Sequence, residues 1–84
     1  MSVTQSAVPL ETALIDIKTL SAATGRSVPT LERDDHAGRI PKPVRIGRSK
    51  RWRRSEISAW IEVSCPPRAE WEAMRAAQRH GRPR

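Results

Sequence analysis

The sequence predicts a small, mainly α-helical domain that carries one β-hairpin. Three observations lead to that class. Two short segments with helical apolar spacing, Ile17 with Leu20 and Val28 with Leu31, are separated only by Gly25, Arg26 and Ser27. An alternating basic and apolar run, Val44 to Arg54, follows two prolines at 41 and 43. A further helical stripe, Ile57, Trp60 and Ile61, comes directly after it.

Residues 1 to 12 show no sustained period and are read as a flexible N-terminal arm. The domain is expected over 13–63. Asp16 is suited to accept the first orphan amides of a helix over 17–24, and Gly25 to end it. Ser27 is a second N-cap, Pro29 is tolerated in a first turn, and Ala37-Gly38 closes a second helix over 28–37. A three-residue connection forces these helices to turn sharply against each other, which is helix-turn-helix geometry. Pro41 and Pro43 hold the chain extended into Val44-Arg45-Ile46. A turn over Gly47 to Lys50 leads to Arg51-Trp52-Arg53, giving a two-stranded wing. Alternation is read as turning Val44, Ile46 and Trp52 inward and Arg45, Arg51 and Arg53 outward. Ser55 caps the third helix in this reading, and Ile57, Trp60 and Ile61 close the core. Beyond Cys65-Pro66-Pro67, a helix is expected over 68–79, with Trp71 and Met74 three apart and its packing partner open, ahead of a basic tail; together they make up 64–84.

Composition narrows the function. Eighty-four residues leave room for one small domain with tails, too few for a large enzyme with a deep pocket. Sixteen Lys and Arg against nine Asp and Glu give a net +7. The excess sits in the middle: residues 26–54 hold ten basic and three acidic side chains, and Val44 to Arg54 holds six basic and none acidic. A bare basic run is commonly just a solvated face, but alternation with apolar residues favours a folded basic hairpin. The single cysteine, Cys65, forms no internal disulfide, and with His36 and His80 it has no metal-ligand spacing, so no metal or other cofactor is expected. The longest apolar run is Ala7 to Leu10, so no membrane span is drawn and a cytoplasmic location is expected. No paired carboxylates with a pocket, glycine-rich phosphate loop or Ser/His/Asp arrangement is visible, and no enzymatic activity is expected.

The stretch Leu14 to Glu62, and within it A-G-R-I-P-K-P-V-R-I-G (37–47) and R-W-R-R-S-E-I-S-A-W-I (51–61), resembles the small winged helix-turn-helix proteins of the excisionase and AlpA-type regulator families, related to the DNA-binding domain of MerR-type regulators. The order and spacing of these pieces carry the resemblance. It implies a double-stranded DNA-binding protein of the kind that regulates transcription or directs an integrase towards excision in phages and mobile elements. Implied partners are an integrase or RNA polymerase, and further copies of the chain on adjacent sites. One departure stands out: Glu32 and Asp34 occupy second-helix positions where similar proteins carry large aromatic or apolar residues. Two acids there would repel phosphate, thin the core or free a partner-facing surface.

In such a fold the second helix enters the major groove and the wing follows the neighbouring backbone or minor groove. Ser27 and the amides at the helix start are candidates for a phosphate. Val28, Pro29 and Thr30 are short enough to reach base edges, and Arg33 has the fork that pairs with guanine O6 and N7. Arg48 and Lys50 project from the wing tip in this reading, beside Ser49, with Arg51, Arg53 and Arg54 behind them. The plainer alternatives are that Arg33 merely pairs with Asp34 on the surface, that Trp52 and Trp60 are core, and that His36 is a helix-terminal histidine held by the helix dipole. Cys65 lacks a base near it in sequence and is not read as a nucleophile. Two rival functions remain: a protein-interaction module, an antirepressor or integrase-docking factor, in which Glu32 and Asp34 face a basic partner and DNA binding is weak, and a non-specific or RNA-binding protein that uses the 44–54 run alone.

Overall fold

The computed structural model describes residues 13–80; the proposed N-terminal arm and residues 81–84 of the basic tail lie outside the described residues. Four helices surround a small three-stranded antiparallel sheet, in the order β1 (Leu14–Ile15), α1 (Ile17–Thr24), α2 (Val28–Ala37), β2 (Val44–Ile46), β3 (Ser49–Arg53), α3 (Arg54–Glu62) and α4 (Arg68–His80). None of these helices is long and apolar enough to cross a membrane.

The first two helices begin and end where their capping residues say they should. Asp16 Oδ1 accepts the Thr19 amide at 2.9 Å. At the other end Gly25 adopts φ +75° and donates its N–H to Ser21 O. Ser27 Oγ accepts the Thr30 amide, and Gly38, at φ +74°, donates to the carbonyls of Asp34 and Asp35. A Cβ at either glycine would be strained in this left-handed region. The α1–α2 connection therefore stays at the three residues the sequence allots to it.

The hairpin departs from expectation in its turn. Gly47 and Arg48 alone make the bend, with Gly47 at φ +59°, and Ser49 and Lys50 already belong to β3. Such two-residue turns match the twist of the strands they join. Ile46 therefore pairs with Ser49, Arg45 with Lys50 and Val44 with Arg51. Directly paired residues share a face, so Trp52 lies on the side of Lys50 and Arg45, opposite Val44 and Ile46. The inward placement of Val44, Ile46 and Trp52 together is thus corrected: Trp52 is 1% exposed, Val44 half-buried and Ile46 56% exposed.

The third strand was not visible in the sequence. Leu14 and Ile15 pair with Arg53 and Trp52, and the Arg54 amide donates to Ala13 O, so β3 is the central strand. Because β3 runs directly into α3, Arg53 takes the N-cap position without a side-chain bond, and Ser55 lies inside the helix instead of capping it.

One core results, made of Ile15, Leu20, Leu31, Ile40, Trp52 and Ile57, with Trp60 and Trp71. Ile61 does not join it; at 39% exposure it lies on the outer side of α3. Burying each of Leu20 and Leu31 contributes about 1.5–3 kcal/mol. Each indole N–H finds an acceptor: Trp52 the Pro41 carbonyl (2.8 Å), Trp60 the Pro66 carbonyl (2.8 Å) and Trp71 Glu56 Oε2 (2.9 Å). Trp71 brings α4 onto the domain, and Arg68 fixes its start by donating to Ile40 O and to Asp35.

Candidate functional site

The outward side of α2 is the first part of the site. With 100° per residue, Pro29, Arg33 and His36 fall on one face, and all three are exposed, whereas Leu31 and Asp34 turn inward. A shallow concavity of about 580 Å³ runs along this face between Glu32, Arg33, His36, Ala37 and Arg39. Arg33 reaches only Thr30 Oγ1, at 3.5 Å, and forms no ion pair among the described residues. Its pairing with Asp34 is not what the fold shows. Val28 and Thr30 are half-buried, so of the four proposed base-edge residues Pro29 and Arg33 present themselves most fully. His36, set aside in the sequence as a dipole-stabilised histidine, shares the Arg33 face; its three-residue spacing from Arg33 was the available signal.

The helix start is poorer in donors than expected. Pro29 has no N–H, Ser27 Oγ accepts the Thr30 amide and donates to Thr30 Oγ1 (2.8 Å), and Val28 is left as the amide donor of that turn.

The hairpin supplies the second part. Arg45, Arg48, Arg51 and Arg53 form no ion pair among the described residues. Register divides them: Arg45 is on the face that meets α2, Arg51 and Arg53 are on the opposite face, and Arg48 is at the turn beside Ser49. Arg51 is half-buried, donates to Lys50 O at 3.1 Å, and with its charge helps hold the Asp16 carboxyl below the usual range, an effect led by the Thr19 amide.

Lys50 does not project from the tip. On the Trp52 face it folds against α2, where Nζ meets Asp35 Oδ2 at 2.7 Å and Glu32 Oε1 at 3.3 Å. Asp35 Oδ1 also accepts from Arg68 Nη2 at 2.7 Å, so one carboxylate ties the hairpin and α4 to the end of α2. Burial pushes the Asp35 carboxyl up, but the hydrogen bonds from Lys50 and Arg68 outweigh it and leave the pKa below its ordinary value. The hydrogen bond to Asp35 in turn raises Lys50. A lowered carboxyl pKa stabilises the fold fully above the unfolded-state value, and that contribution is lost as pH falls through the folded value. The acid limb of the stability curve, below about pH 4, should accordingly be shallower in Asp35→Asn. It should not vanish, because Asp16 contributes with the same sign. Urea midpoints measured at intervals from pH 7 to 2 check this, and parallel acid limbs in the two proteins would contradict it.

Asp34 corrects a larger expectation. It is 3% exposed, with Oδ2 held by Arg26 Nε at 2.8 Å and Oδ1 by Arg39 Nη1 at 3.1 Å. It therefore faces neither a phosphate backbone nor a basic partner; it fills an interior position where an apolar residue was expected, and two guanidiniums neutralise it. Glu32 remains outside and is paired with Lys50. The acids of α2 are thus occupied, while Arg33 and the hairpin's Arg45, Arg48, Arg51 and Arg53 form no ion pair among the described residues.

Among the described residues no three His, Cys, Asp or Glu side chains gather as a metal site. Cys65 is exposed at the surface, and partial burial of its thiol raises the pKa. Comparisons with protein-family models, with curated protein sequences and with solved structures find no match to this chain.

Proposed function

We infer that the protein binds double-stranded DNA sequence-selectively as a winged helix-turn-helix, with α2 in the major groove and the β2–β3 hairpin as the wing. The observation that carries this reading is the division of charge around α2: Asp34, Asp35 and Glu32 are each bound to basic side chains, whereas Arg33, on the exposed face, forms no ion pair among the described residues. The unpaired arginines of the hairpin add the backbone-neutralising groups such binding needs. The short α1–α2 turn and the resemblance of 14–62 to excisionase and AlpA-type regulators support the same reading. On it, the protein serves as a regulator of transcription or of excision, with RNA polymerase or an integrase as its protein partner. So small a module makes few base contacts, so several copies act on adjacent sites.

Purified protein incubated with sheared DNA of its source at about physiological salt should retain a few discrete sites. Arg33→Ala should keep the fold and backbone affinity but relax discrimination at one base pair by about 1–3 kcal/mol. Binding measured on the enriched site and on the three alternative base pairs at each of its positions checks this; an unchanged preference ladder would rule out Arg33 as the reader.

A further inference from the structure

On the flank of α2 that holds Asp34, a groove of about 400 Å³ opens between the end of α1 and α3. Its walls are mostly apolar: Ala23 on α1, Ile40 on the loop after α2, Trp60 and Ile61 on α3, and Cys65 beyond it. Ile40 and Trp60 are buried and form the floor, while Ile61 is exposed at the rim. Asp34 supplies the carboxylate of this groove, and both its oxygens are already taken.

The two guanidiniums that take them are not used up. Arg26 engages Asp34 through Nε and Arg39 through Nη1, and their side chains are 52% and 65% exposed. An arginine has five N–H donors, so among the described residues most donors of both have no ion-pair partner beside the apolar wall. Two cations against one buried carboxylate leave the groove a net charge of +1. Apolar walls with surplus guanidinium donors at the mouth match a ligand having an apolar anchor and a carboxylate close to it.

We propose that this groove docks an acidic amphipathic segment of another protein. An aliphatic or aromatic anchor lies between Ala23 and Ile61, over Trp60, and a Glu or Asp carboxylate meets Arg26 or Arg39. The sign is opposite to the basic partner that Glu32 and Asp34 suggested in the sequence, because burial removes Asp34 from the surface and leaves its arginines there. Asp34 is about 100° round the helix from Asp35, which holds Lys50, so the groove lies on a different flank of α2 from the hairpin. Its occupation does not depend on the DNA-binding reading, although Arg39 borders both this groove and the concavity on the exposed face of α2.

The test uses the full-length protein, labelled with nitrogen-15, and a panel of synthetic amphipathic helical peptides of about sixteen residues with Leu or Phe anchors at i and i+4. One set carries Glu at its polar positions; the matched sets carry Gln or Lys. Peptides of the Glu set should shift the amide signals of Ala23, Thr24, Ile61 and Cys65, and the Gln set should bind at least tenfold more weakly. Ile61→Glu, at an exposed position outside the DNA-facing elements, should keep a dispersed spectrum and unchanged DNA binding yet weaken the Glu set at least tenfold. Absence of groove shifts with every Glu peptide, or equal shifts with the Lys set, would overturn the proposal. So would groove signals that move with protein concentration alone or on deletion of residues 1–12, since a second copy or the chain's own N-terminus would then be the occupant. A protein that shows the groove shifts but enriches no DNA sites would sink the DNA-binding reading and leave this one standing.

Discussion

Trp52→Ala is expected to cost about 3–5 kcal/mol, the range for truncating a buried tryptophan, out of a total stability of about 5–15 kcal/mol for a domain of ordinary size. The position explains the magnitude. Trp52 is 1% exposed on the central strand, paired with Ile15 of β1, and it belongs to the cluster that includes Leu20, Leu31 and Ile57. The substitution leaves a void that a sheet of two-, three- and five-residue strands has little length to close. It also removes the donor that reaches Pro41 O. At about 4–8 °C per kcal/mol for a domain of this size, the variant should melt tens of degrees lower or be unfolded at room temperature. Trp52→Phe separates the two contributions: most of the ring volume stays, and the unpaired Pro41 carbonyl costs about 1–3 kcal/mol. Urea denaturation followed by circular dichroism measures both. A loss below 1 kcal/mol in the alanine variant would mean that the sheet is not anchored through this indole.

The same residue shows where sequence reading succeeds and stops. The bounds of α1 and α2 are legible because capping is local: Asp16 with Gly25, and Ser27 with Gly38, mark both ends of each helix within the helix and its immediate neighbours. That Trp52 is buried is legible from its size and surroundings. Which residues share its face is not, because parity between two strands depends on the register that the turn sets. β1, at two residues, is too short to show alternation, and it is recognised only once Trp52 has Ile15 opposite it.

The candidate site divides in the same way. Arg33 and the hairpin arginines are visible as residue types at suitable spacing. The fate of the acids is not, because it depends on partners brought close by the fold: Lys50 meets Asp35 across 15 residues, and Arg68 meets it across 33. Asp34 illustrates this most clearly. As a residue type it reads as a surface charge, and only its enclosure by Arg26 and Arg39 shows it to be an interior anion whose positive partners form the outer surface.

If the protein binds DNA as proposed, this electrostatic arrangement sets the salt dependence to expect. Counterion release gives a slope of about −0.9 in log affinity against log salt for each phosphate neutralised. Arg33, Arg45, Arg48, Arg51 and Arg53 form no ion pair among the described residues. If each meets one phosphate, or in the case of Arg33 releases an equivalent counterion at the groove, the slope is about −4.5, a loss of roughly 500-fold between 50 and 200 mM salt. Replacing Arg45, Arg48, Arg51 and Arg53 together by alanine should bring the slope to about −1 and lower affinity for every sequence alike. Lys50 provides the internal control. Its ammonium already has Asp35 and Glu32 as counter-charges, so it has no condensed counterion to displace from DNA unless it leaves them. Lys50→Met should therefore leave the slope unchanged while reducing stability, because Asp35 and Glu32 each lose a partner. A slope that falls by a full unit in Lys50→Met would show that phosphate competes successfully with Asp35. In that case DNA binding would break the link between the hairpin and α2, and Asp35 would retain only its tie to α4 through Arg68.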